Sequence, residues 1–113
     1  MTAQQKPVRR TYWISFRLND TPPHDKTYAA RLAKLEEAIR TSAVETWWKE
    51  PTSFIMFYST KTIDQIAAAV KGAIDERIDL ALIGMTELQD ARYIGALKFQ
   101  SDLLKLMPFA KKS

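Results

Sequence analysis

The stretch YWISFRLND, residues 12–20, decides the fold. Tyr12, Ile14, Phe16 and Leu18 alternate with Trp13, Ser15 and Arg17. Period two with one apolar side is the pattern of a half-buried strand. The predicted strand covers residues 10–18 and ends in charge, at Arg17 and then Asp20. "NDTPPHD" breaks it, because proline cannot donate to a strand ladder.

Working outward, residues 25–41 read as a helix. Tyr28, Leu32, Leu35 and Ile39 recur at four, three and four, one stripe of an amphipathic helix. Residues 44–49 (VETWWK) read as a strand, and residues 53–59 (SFIMFYS) as another that is apolar on both faces and so central in its sheet. Thr62 with Gln65 forms a capping box and opens a second helix carrying Ile63, Ile66, Ala67, Val70 and Ile74. Residues 79–85 (DLALIGM) read as a fourth strand. Strand, helix, strand, strand, helix, strand is the split βαβ order. It predicts an α+β, ferredoxin-like domain over residues 10–98, a four-stranded antiparallel sheet with two helices on one face. Residues 1–9 read as a disordered tail. Residues 99–113 read as an apolar C-terminal segment that docks on this subunit or a partner and ends in basic residues.

The chain has 113 residues and no cysteine, which excludes disulfides, thiolate nucleophiles and cysteine metal sites. No apolar run approaches the roughly 20 residues of a membrane span. MTAQQKPVRR has no signal-peptide core, and a cytoplasmic protein is the expectation. The net charge of +4 gathers at the ends: setting aside Lys6, Arg9, Arg10, Lys111 and Lys112 leaves 12 of 17 basic residues against 13 acidic ones. Arg9, Arg10, Arg17, Lys111 and Lys112 are the candidate phosphate contacts.

The open sheet face is the candidate site. Trp13 lies on it, beside either Ile55 and Phe57 or Phe54 and Met56, and one of Trp47 and Trp48 joins them. RNA-recognition modules stack bases on such a face, but the third strand lacks their basic-Gly-aromatic signature. An apolar face of this kind fits a subunit interface better. Its candidate residues are Trp13, Trp47, Trp48, Phe57, Leu103, Leu106 and Phe109. His24, the one histidine, sits in a Pro-Pro loop with no nucleophile to serve. Asp20 and Asp25 are a thin case for a hard metal ion. No cofactor is implied.

"TYWISFRLND", "YAARLAKLEEAI", "WWKEPTSFIMFYS" and "TIDQIAAAVKGAIDERIDLALIGM" together resemble the small CRISPR-associated spacer-integration dimer family, in particular its SinR-like stand-alone relatives. They are distantly similar to virulence-associated protein D. The resemblance implies a ferredoxin-like subunit that dimerises through its sheet and C-terminal segment. It also implies a first strand ending aromatic-Asp, where the aspartate holds a divalent metal for phosphodiester hydrolysis. Here Phe16 is followed by Arg17, and a guanidinium repels a cation that a carboxylate would bind. The expectation is therefore a non-enzymatic homodimer that binds a protein partner, or nucleic acid weakly and without sequence preference. The alternatives are a metal-dependent endonuclease or toxin using Asp20, and a purely structural interaction module.

Overall fold

The computed structural model describes residues 8–20 and 27–113. Strand β1 (Arg10–Arg17) is central because both of its edges are paired, antiparallel to β3 (Phe54–Ser59) and to β4 (Leu80–Met85). Its alternation works as the sequence implies. Tyr12, Ile14, Phe16 and Leu18 are buried under α1 (Tyr28–Ser42) and α2 (Ile63–Ala73), which pack on one face and on each other. Ile55 and Phe57 of β3 and Ala81 and Ile83 of β4 complete this core. Each such aliphatic or aromatic side chain, once buried, contributes about 1.5–3 kcal/mol.

The sheet is not the four-stranded antiparallel ferredoxin-like sheet expected from the sequence. Among the described residues it has six strands, in the order β2-β3-β1-β4-β5-β6, and it is mixed. β5 (Ala91–Gly95) pairs antiparallel with β4, and β6 (Ala110–Lys112) pairs parallel with β5. A third helix, α3 (Gln100–Leu106), lies between them in the chain. The strands escape notice for a physical reason. Five and three residues are too few for a period-two signal, and Arg92 interrupts the first. Its guanidinium reaches α2 and binds Asp64, which raises the pKa of Arg92 against the opposing effect of burial. The C-terminal segment, expected to dock on this subunit or a partner, forms no apolar helix. No residue of α3 is fully buried. Leu103, Leu104, Met107 and Phe109 instead pack by one side against Ala91, Tyr93 and Ala110 of this same subunit.

Two further boundaries move. β2 is only Trp47–Trp48, because Glu45 has φ 64°, a left-handed conformation that an extended strand cannot contain. α1 starts after its N-cap Thr27, whose hydroxyl accepts from Ala30 N–H, and its buried face is Arg31, Leu35, Ile39 and Ser42. Tyr28 is exposed and Leu32 half-buried, so the stripe is rotated toward Arg31. α2 opens on the Thr62–Gln65 capping box, with both reciprocal bonds formed.

Arg31 is buried because it pairs with Asp79, just before β4; their side chains are 2% and 0% exposed. Arg31 also donates to Asn19 O at 2.7 Å, and Asp79 accepts from Asn19 N–H and Asp75 N–H, both at 2.8 Å. Removing one partner strands a buried charge, at a cost of about 3–5 kcal/mol. Asp79→Asn and Arg31→Met are each expected to lower unfolding free energy by that order in urea titrations. The double variant Arg31→Met/Asp79→Leu should recover only part, because Asn19 N–H and Asp75 N–H lose their acceptor. Gly95 has φ +100°, and a Cβ there would lie 2.0 Å from Asp79 O. Gly95→Ala is therefore expected to cost at least about 1–3 kcal/mol, read from the same titrations.

Candidate functional site

The end of β1 carries no assembled metal centre among the described residues, and no group of three or more His, Cys, Asp or Glu is gathered there or elsewhere among them. Arg17 and Asp20 are exposed. The carboxylate that the fold brings to this strand end is Asp79, and both its oxygens already accept hydrogen bonds from Arg31, Asn19 and Asp75. His24 and Asp25 lie outside the described residues, as does Lys6.

The open face divides in two. Over β4, β5 and β6 it is covered by α3 and the residues after it, through the cluster around Tyr93, Leu82 and Leu103. Over β2, β3 and β1 no other segment among the described residues packs on it. There Trp13 lies flat across its register partner Gly84, so closely that a Cβ on residue 84 would sit 2.1 Å from the indole. Phe54 runs parallel to Trp13 within 11°, with ring centroids 6.2 Å apart. Trp48 meets Phe54 edge-on at 6.3 Å. Met56 and Tyr58 extend this strip, and with Trp48, Thr11 and Thr46 they line a shallow recess of about 160 Å³. The strip joins three strands through aromatic contacts, each of which adds about 0.5–1.5 kcal/mol beyond area burial.

The parity of β3 resolves the choice that the sequence leaves open. Phe54, Met56 and Tyr58 share the face of Trp13, whereas Ile55 and Phe57 point into the core. Phe57 is 2% exposed and stacks on Tyr12, so as an interface residue it is a correction. Trp47 also turns away, against the core, with the Lys49 ammonium 5.1 Å from its ring centre. Trp48 points outward, 45% exposed, its indole N–H donating to Glu50 at 3.0 Å. Phe109 and Leu103 are half-buried in the second cluster, and Leu106 is exposed.

The basic candidates do not converge. Arg9 is paired with Glu45 and sits over the Tyr58 ring, 4.3 Å from its centre. Arg10 is half-buried at the start of β1. Lys111 and Lys112 are exposed on β6, the strand farthest from β2. Arg17 leans toward Ala96 O at 3.4 Å. Acid interleaves with these bases. Glu87 accepts from Thr11 N–H with both oxygens at 2.9 Å. Burial pushes its carboxyl up, but those bonds outweigh it and hold it below the usual range. The role of Gly84 is the feature that sequence reading missed; the signal was a glycine in a strand otherwise made of apolar side chains, which marks a close approach.

Set beside known proteins, the chain matches no family model and has no significant match among curated proteins or solved structures. The resemblance to the CRISPR-associated dimers thus stands on its motifs alone. No helix among the described residues is long and apolar enough to cross a membrane.

Gly84→Ala is expected to lift the Trp13 indole off β4. Its tryptophan emission should shift to the red relative to the parent, and the shift should vanish when Trp13→Phe is added.

Proposed function

We propose that this is a non-enzymatic binding protein that acts as a homodimer, with the aromatic strip of the open face as its contact with the second copy. One observation carries this reading: the C-terminal segment packs over half of the open face, while among the described residues no segment packs over the other half, where Trp48 is exposed and Phe54, Met56 and Trp13 are half-buried. Tryptophan, phenylalanine and methionine with few charges is the composition of an interface core. The rim mixes Arg9, Arg17, Glu45, Glu50 and Glu87, a near-neutral border that a second copy can complement. Cysteine-free composition fits a cytoplasmic setting. A nuclease using Asp20 draws less support, because Asp79 is committed to the Arg31 pair.

A second reading rests on the parallel Trp13 and Phe54 rings, which could stack bases of a single strand. Among the described residues, the basic side chains do not converge on the strip to hold the phosphates.

Sedimentation equilibrium should show a dimer at micromolar concentration. Trp13→Ala should weaken it by about 30-fold or more, the effect of losing an interface hot spot of about 2 kcal/mol. A full-length chain that stays monomeric across the micromolar range would refute the reading. Fluorescence anisotropy with a labelled oligonucleotide tests the second. Tight binding that survives high salt and disappears in Trp13→Ala would replace the dimer reading with base stacking.

A further inference from the structure

A second feature of the open face lies where β1, β4 and the segment after β5 meet. The register sets two rows of residues side by side there. Arg17, Leu80 and Gly95 form one row, and Ser15, Leu82 and Tyr93 the next. They share the parity of Trp13, so their side chains stand on the open face and not in the α1–α2 core. Leu97 and Leu103, from the chain that leaves β5 and enters α3, rise beside them. Between the rows and these two leucines is a recess of about 240 Å³.

The recess has an apolar lining and a cationic rim. Leu80, Leu82, Leu97 and Leu103 line it and are only half-buried, so each has apolar surface left to cover. An apolar cavity of about 150 Å³ takes up benzene, so this one has room for a hydrocarbon group of about six to nine carbons. On the β5 side Tyr93 is committed, its hydroxyl accepting from Gln100 Nε2 at 3.1 Å. Arg17 supplies the cation. It starts on β1, yet its guanidinium donates to Ala96 O, beyond β5, at 3.4 Å. The side chain therefore crosses β4 along the row of Leu80. That bond is long and takes one of the five N–H donors of an arginine. Among the described residues no carboxylate pairs with this guanidinium. The Ser15 side chain, exposed on the same face of β1, brings a hydroxyl to the same rim.

A guanidinium has the planar fork that takes a carboxylate through two parallel N–H···O bonds. One cation beside an apolar bay of this size matches a monoanion with a short tail. We propose that the recess binds a small organic acid, its carboxylate on Arg17 and Ser15 and its hydrocarbon tail against Leu82, Leu97 and Leu103. The site adjoins the aromatic strip at β1 but uses neither Trp48 nor Phe54, so it stands or falls separately from the homodimer reading.

Two-dimensional amide NMR of the full chain, titrated with octanoate, phenylpropionate, octanamide and acetate, tests the site. Octanoate or phenylpropionate should shift the amides of Arg17, Leu82, Leu97 and Leu103 with a dissociation constant of about 0.1–1 mM, the range of a ligand of about ten heavy atoms. The tighter of the two tells a straight-chain tail from an aromatic one. Octanamide keeps the tail without the charge, and acetate keeps the charge without the tail. Each should bind about ten-fold more weakly or worse. Arg17 is exposed, so Arg17→Met should fold, as circular dichroism would verify, and should lose the preference for octanoate over octanamide. Equal affinity of the parent for octanoate and octanamide would overturn the proposal. So would shifts gathered on Trp13, Phe54 and Trp48 instead, or no saturable shift up to about 10 mM acid.

Discussion

The buried pair of Arg31 and Asp79 is the constraint on which the rest of the structure depends. It joins four parts of the chain at one point. Asn19 at the end of β1, the first turn of α1, Asp75 in the turn after α2, and the start of β4 all hydrogen-bond to it. The backbone of Asp79 adds a fifth, since its carbonyl accepts from Ala96 N–H, just past β5, at 2.8 Å. The close approach at Gly95 exists to let that carbonyl in. Burying two charges costs several kcal/mol per ion, and their attraction repays it only when the remaining donors and acceptors are satisfied. Here the neighbouring backbone does so, which makes the pair a device of registration as much as of stability.

That pair also shows where sequence reading ends. The periodicities of β1, β3, α2 and β4 are legible, because each buries a regular apolar row. Arg31 is not legible as core. A charged residue in a helix is ordinarily a solvated one, and only a carboxylate 48 positions away in the chain makes its burial possible. The same limit hid β5 and β6. β5 carries Arg92 inward to Asp64, so its apolar row is broken where a charge is paired across to α2. Short strands added to an existing sheet are specified by the neighbour they meet, and the neighbour is not local in sequence.

The candidate surface was half legible for a related reason. Trp13 had to face away from Tyr12, so its presence on the open side followed from alternation. Which residues of β3 accompany it did not, because Phe54, Ile55, Met56 and Phe57 are all apolar and either parity is consistent with the composition. The register to β1 settles it, with Trp13 opposite Met56. How much of the face is bare depends on where α3 rests, and α3 is too short and too exposed for a stripe to declare its docking side. Gly84 then gives the strip its flatness, since any side chain there would tilt the indole.

The two edges of the sheet bear on the choice between face and edge as the route to association. An unpaired strand edge is a template for another chain unless it is blunted. β2 offers only Trp47 and Trp48 before the left-handed Glu45 turns the backbone away. β6 offers three residues, and two of them are Lys111 and Lys112. Lysine on an edge strand resists pairing with a second strand. This gives the basic C-terminus a role without phosphate. With one edge cut short and the other charged, neither edge is a ready template for a further strand.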